Sequence, residues 1–252
     1  SPFLLLDEMG PVNWPPGAAI GAPNHPHRGF ETVTYLLKGR MNHADSAGNS
    51  GELNPGSVQW MTAGSGVIHS ELPHPDFQKT GGVMHGFQIW VNLPAADKMM
   101  QPRYQDIPAE NIPVVSSQDD LVEVRVIAGQ SLGQSAVIDT MIPITVLHMI
   151  LKPGGEIVQS IDKGLNGMIY CFSGSLSVDE KTLNDGQLGI LNDGDEVHLS
   201  VSESAKEDVN ILFLAGPEIN EPIARYGPFV MNTEQEIMQA YADYNAGTLV
   251  KN

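Results

Sequence analysis

Positive charge is scarce in this chain. Thirteen Lys and Arg stand against thirty Asp and Glu over 252 residues, a net charge of -17, and a field of that sign repels phosphate backbones and anionic membranes at long range. Direct nucleic-acid binding and membrane attachment are therefore not expected. Cysteine is almost absent: the single Cys171 excludes an intramolecular disulfide and fits a reducing compartment. It lies in the strand-like run Ile169-Tyr170-Cys171-Phe172, where a buried, inert thiol is expected. Long apolar runs are missing too, none reaching the roughly 18 to 20 residues needed to span a bilayer. No charged-then-apolar leader opens the sequence, so a cytoplasmic protein is the expectation. The chain enters Phe3-Leu4-Leu5-Leu6 almost at once, as a strand already under way would, which leaves processing or truncation before Ser1 open.

What is plentiful is glycine (26) and proline (18), with 41% hydrophobic and only 17% charged residues. That composition is globular and favours many short strands joined by tight turns. Strand-like segments fall at Phe3–Leu6, Thr32–Leu37, Ser57–Met61, Val67–Glu71 and Gly86–Asn92, with turn signals at Gly10-Pro11, Asn54-Pro55-Gly56 and Gly64-Ser65-Gly66. Their close spacing is that of a small β barrel or jelly roll. A short helix is expected over Pro94–Met100 and a linker over 101–120. Near the C-terminus, Thr233 and Glu236 form a capping box, Ile237, Ala240, Tyr241 and Tyr244 recur at helical spacing, and Gly247 marks a stop.

The two halves resemble each other. Gly29, Tyr35 and Gly39 fall on Gly164, Tyr170 and Gly174 (39 to 174, an offset of 135), and Leu53, Asn54 and Gly56 fall on Leu183, Asn184 and Gly186 (53 to 183, an offset of 130). A duplicated β unit with one five-residue loop difference accounts for both.

The stretch from Asn24 to Glu71 carries the chemistry. In an extended strand alternate residues share a face, so His25 and His27 point one way, as do His69 and Glu71. Two such pairs on neighbouring strands can meet, and imidazoles with a carboxylate are ligands for a first-row transition metal. Glu31 has the parity of His25 and His27 and competes with Glu71 for the carboxylate role. Arg28 reads as a surface or strand-edge ion pair with Glu31. His43 and His74 read as solvated turn residues, His85 as core or a neighbour of the ligands, and His148 and His198 as structural. Carried through the two offsets, His25 maps to Ser160, His27 to Asp162, His69 to Leu199 and Glu71 to Val201. The second half thus keeps the architecture and loses the metal.

His25-Pro26-His27-Arg28-Gly29-Phe30-Glu31-Thr32-Val33, Gln59-Trp60-Met61-Thr62-Ala63-Gly64, Ile68-His69-Ser70-Glu71, Trp90-Val91-Asn92-Leu93-Pro94 and Gly227-Pro228-Phe229-Val230-Met231-Asn232-Thr233 together resemble the pirin family of the cupin superfamily over essentially the whole chain. The resemblance implies an all-β protein of two tandem cupin barrels with a few short helices, including one at the C-terminus. The expected division is 1–105 for a metal-bearing barrel and 106–252 for a metal-free barrel plus the C-terminal helix. It implies one mononuclear Fe(II), with other divalent transition metals accepted by the same donors, held by His25, His27, His69 and Glu71, which resolves the competition against Glu31. Four protein ligands on a six-coordinate ion leave two positions for a flavonol-like substrate and O2. The implied activity is that of a quercetin 2,3-dioxygenase, with Glu71 also the base that takes the substrate hydroxyl proton. The alternative in the same family is an iron-dependent redox-sensing regulator that binds a transcription factor or metabolic enzyme, and an acidic surface suits a basic protein partner.

Overall fold

The computed structural model describes residues 2–250. The expectation about residues before Ser1 lies outside them. The chain forms two compact units, one ending at Glu110 and resuming at Ile219, the other running from Asn111 to Glu218.

In the first unit the strands are β1 (Phe3–Trp14), β2 (Ala22–His27), β3 (Phe30–Lys38), β4 (Met41–Asp45), β5 (Ser50–Leu53), β6 (Val58–Thr62), β7 (Val67–Pro73), β8 (Gly82–Asn92) and β9 (Arg103–Ile107), with the short helix α1 (Pro75–Thr80) between β7 and β8. They make a five-stranded sheet in the order β1-β8-β3-β6-β9 and a four-stranded sheet in the order β2-β7-β4-β5. Period-two burial places the sheets: along β7, Val67, His69 and Glu71 are buried while Ile68, Ser70 and Leu72 are more exposed. Leu36 and Met84 of one sheet pack with Met41 and Leu53 of the other.

The second unit contains β10 (Val114–Ser116), β11 (Val122–Ala128), the two-residue ladder β12 (Gln130–Ser131) and β13 (Gln134–Ser135), then β14 (Thr145–Leu151), β15 (Glu156–Ser160), β16 (Leu165–Ser173), β17 (Ser175–Val178), β18 (Lys181–Asn184), β19 (Gln187–Ile190), β20 (Glu196–Ser200) and β21 (Val209–Pro217). Its sheets run β10-β11-β14-β21-β16-β19 and β15-β20-β17-β18. The sub-orders β21-β16-β19 and β15-β20-β17-β18 reproduce β8-β3-β6 and β2-β7-β4-β5 strand for strand, so the sequence repeat is a repeat of topology. Its core is mostly aliphatic with Phe213 among it, built from Val124, Leu147, Ile169 and Phe213 on one sheet and Ile157, Leu176 and Val197 on the other.

From Ile219 the chain returns to the first unit with β22 (Ala224–Tyr226), β23 (Phe229–Met231) and α2 (Glu234–Asn245). The Thr233–Glu236 capping box is formed, and Gly247 takes the left-handed conformation just past the end. The helix was expected with the second barrel. It packs instead in the first unit, where Ile237 and Ala240 join Phe229, Met231 and Ile68.

Other local expectations change. Strand β1 continues past Gly10-Pro11 to Trp14 because a register shift between Met9 and Val12 absorbs the proline, which has no N–H to give the ladder. Pro94–Met100 makes a turn rather than a helix, closed by Asp97 and Lys98 N–H donating to the Pro94 carbonyl at 2.9 and 3.1 Å. The stretch 101–120 contains β9 and β10 within otherwise non-strand chain. No helix among the described residues is long and apolar enough to cross a membrane.

Candidate metal centre

Strands β2 and β7 pair antiparallel with His25 opposite His69 and His27 opposite Val67. His25 and His27 share a face, and the register sets His69 against them. One ring nitrogen from each of the three histidines lies within 4.8 Å of the others. The ring centroids are 4.7 Å (His25–His27), 4.4 Å (His25–His69) and 5.1 Å (His27–His69) apart.

The tautomers follow from the neighbours. His25 Nδ1 is 2.8 Å from the Pro23 carbonyl and His27 Nδ1 is 3.4 Å from the Pro228 carbonyl. A carbonyl only accepts, so each Nδ1 carries the proton and each Nε2 presents a lone pair. His25 Nε2 and His69 Nε2 are 3.0 Å apart, and His69 Nδ1 is buried without a hydrogen-bond partner. Two imidazole nitrogens this close repel unless a proton or a cation lies between them. Metal–nitrogen bonds of about 2.1 Å at right angles leave their nitrogens about 3.0 Å apart, so the spacing fits a shared ion. Burial, and then the neighbouring His25 and His43, push the His69 pKa down to about 3. Burial first, then His69 and His25, hold His27 well below its ordinary value. Neutral imidazole is the form a metal requires.

Glu71 is buried two residues beyond His69 and lines the same pocket as His25 and His27. Its Oε1 accepts a hydrogen bond from Thr34 Oγ1 at 2.7 Å, and Thr34 Oγ1 accepts one from Gln88 Nε2 at 2.9 Å. Burial raises its pKa, and the Thr34 hydrogen bond works against that rise. The structure brings the three histidines together, with Glu71 beside them rather than inside the cluster of converging donor atoms. Glu31 lies on the other sheet, its Oε1 accepting from Thr62 Oγ1 at 2.6 Å.

Residues far away in sequence hold this strand. Arg28 is not a surface residue paired with Glu31: it is 2% exposed, with Nη1 donating to Asp243 Oδ2 and Nε to the Ser65 carbonyl, both at 2.6 Å, and Nη2 to the Leu249 carbonyl at 3.3 Å. Val230 N–H donates to the Arg28 carbonyl at 3.1 Å. Gly29 has φ 87°, and a Cβ there would run into the Val230 carbonyl, so only glycine fits. The Lys98 ammonium donates to the Gly29 carbonyl at 2.8 Å, Asn92 Oδ1 at 2.6 Å and the Val230 carbonyl at 3.2 Å. Burial lowers its pKa to about 8.

His43 is not solvated either. It is buried on β4 opposite Glu71, with Nε2 3.2 Å from Asp106 Oδ2. His74 is buried and caps α1, accepting from Asp76 N–H. His85 pairs with Glu8 at 2.7 Å, and His148 lies 3.1 Å from Asn210 Oδ1. The polar sequence around His43 and His74 hid their burial, and nothing local to Arg28 signals Asp243 or Pro228.

His25, His27 and Glu71 open onto a cavity of about 600 Å³, walled by Trp14, Met84 and Trp90 and offering Gln88 as a polar group. Trp90 packs edge-on against His27, with ring centroids 5.6 Å apart.

Strand pairing also corrects the residues that stand at this place in the second unit. His43 pairs with Glu71, and its counterpart at offset 135, Val178, pairs with Leu199. Leu199 therefore stands for Glu71 and Val197 for His69. Val197 pairs with Gln159, which stands for His25, and Ile161 stands for His27. All four are buried, and none is a histidine, cysteine or carboxylate.

Two stacked-sheet units of duplicated topology, the first with three histidines converging at one end, define a two-barrel cupin with a metal-binding site. The Pirin family model matches residues 1–91 and the Pirin C-terminal cupin domain model matches residues 146–250. The chain belongs to the pirin family. It is 43% identical to a pirin-like protein from Solanum lycopersicum, covering 98% of this chain and 81% of the relative, and 40% identical to human pirin, covering 96% and 81%. Among solved structures, a quercetin 2,3-dioxygenase from Acinetobacter baumannii superimposes with a TM-score of 0.93 at 40% identity, covering 99% of this chain and 86% of that one.

Proposed function

We propose that this protein is a mononuclear iron dioxygenase that opens the ring of a flavonol-like substrate with O2, the reaction class named for its Acinetobacter relative. The observation that carries the reading is the convergence of His25, His27 and His69, two of which, His25 and His27, line an apolar cavity of about 600 Å³ with Trp14 and Trp90, a size suited to a small planar ligand.

His25, His27 and His69 would hold the ion, and Glu71 would be the fourth ligand. A buried carboxylate beside neutral imidazoles is costly without a cation, and a divalent ion at the cluster supplies one. Bound there, Fe(II) would supply open coordination positions and redox chemistry for substrate and O2. The chain's own groups do the rest. Trp14, Met84 and Trp90 exclude water and present flat apolar walls. Thr34 fixes one oxygen of Glu71, which positions that carboxylate to take the proton of a substrate hydroxyl.

The test is aerobic turnover of quercetin by iron-loaded protein, with carbon monoxide release as the readout. Absence of turnover at full metal occupancy overturns the reading.

A further inference from the structure

A second cavity, of about 550 Å³, opens in the unit that lacks the histidine cluster. Ile161 and Val197, which stand where His27 and His69 stand in the first unit, form part of its wall together with Ile169, Leu183 and Leu191. The positions that carry His27 and His69 in the first unit thus present aliphatic side chains to this hollow. A void of this size lined by apolar groups favours an apolar occupant.

The mouth is different. Asp179, Glu180, Asp193 and Glu196 line it against one cation, Lys181, and all five are exposed. Ile190, 71% exposed, stands on the same rim. An apolar floor under a ring of carboxylates selects a molecule with an apolar body and a positive head, whose charge stays at the wet rim. An anionic occupant is repelled there, and a neutral one forgoes the rim.

We propose that the second barrel is a binding site for a small organic ammonium ion, its apolar body seated against Ile161, Ile169 and Val197 and its ammonium group among Asp179, Glu180, Asp193 and Glu196. The site is independent of the metal centre and of the activity proposed there.

The probe is 2-phenylethylammonium, titrated calorimetrically into the full, metal-loaded chain beside neutral 2-phenylethanol and anionic 3-phenylpropionate. The ammonium should bind one site at least about tenfold more tightly than either analogue, and added salt should weaken it. Amide NMR shifts should move at Gly189 and Gly194 while Ala22 and Gln88, on the metal pocket, stay in place. The double variant Glu180→Gln with Asp193→Asn alters only exposed positions and should bind about tenfold more weakly with an unchanged melting curve. Equal binding of the three probes, shifts confined to the metal pocket, or no saturation up to about 10 mM, the weak end of specific binding, each overturns the proposal.

Discussion

Arg28 and Asp243 meet at 2.6 Å across 215 residues of sequence. The ion pair ties the end of the His25–His27 strand to the C-terminal helix. Asp243 is 23% exposed and Arg28 2%, so removing the carboxylate strands a buried guanidinium. Asp243→Ala should cost about 2 to 3 kcal/mol, below the full penalty for a wholly buried pair. Because Arg28 follows His27 directly, metal affinity should fall with it. Urea unfolding and metal retention during dialysis against a chelator measure the two effects, and unchanged values for both would show that the clamp does not position the ligands.

Removal of His69 tests the cluster itself. His69→Ala leaves His25 and His27 on one strand with no imidazole partner from β7, so bound metal should drop from one equivalent to well under half by elemental analysis. The circular dichroism spectrum should stay that of the parent. The substitution also relieves the 3.0 Å contact between His25 and His69 nitrogens. The metal-free variant should therefore be no less stable than the metal-free parent, apart from the cavity left behind.

Acid should destabilise the metal-free protein. The folded chain holds His69 at a pKa of about 3 and His27 well below its ordinary value, whereas the unfolded chain titrates each near 6.5. Between those limits the unfolded state binds protons that the folded state refuses. The stabilisation from neutral His69 is thus complete above about pH 6.5 and is lost progressively toward about pH 3. The slope is about 1.4 kcal/mol per pH unit for each such imidazole. Glu71, with its pKa raised, acts in the opposite sense, its contribution lost as pH rises through its folded value. Thermal melts of the chelated protein at about pH 7 and pH 5 should show the lower melting temperature at pH 5, and His69→Ala should flatten that dependence.

The ligand faces were legible in the sequence because strand parity is local: two residues apart means one face, whatever the rest of the chain does. The repeat was legible through its glycines, which mark the turns of both barrels. The counterparts of the ligands were not. The link into β16 carries one residue more, and that into β20 two fewer, than the offsets from β3 and β6 imply (27 to 161 is 134, and 69 to 197 is 128). A one-residue slip exchanges the faces of a strand, so exposed Ser160 took the place of buried Gln159. Contacts to Pro228 and Asp243 were hidden for another reason: they close over more than 200 residues, and no periodicity reports them. The place of the C-terminal helix was lost with them.

Thr34 offers the sharpest test of how Glu71 is used. Its hydroxyl donates to Glu71 Oε1 and accepts from Gln88 Nε2, so Thr34→Val keeps the shape of the side chain and deletes both bonds. Buried Glu71 and half-buried Gln88 each lose a partner, which should cost about 1 to 3 kcal/mol of stability. The same hydroxyl opposes the rise that burial imposes on the Glu71 pKa, so its loss should raise that pKa further. If Glu71 takes the substrate proton, less of it is ionised at a given pH. The acid limb of the kcat/KM profile should then move to higher pH, with kcat at neutral pH down about tenfold or more. Bound metal should remain near one equivalent, since all three histidines are untouched. An acid limb that stays in place while stability falls would mean that Thr34 only packs and bonds locally, and would remove the support it lends to Glu71 as the base.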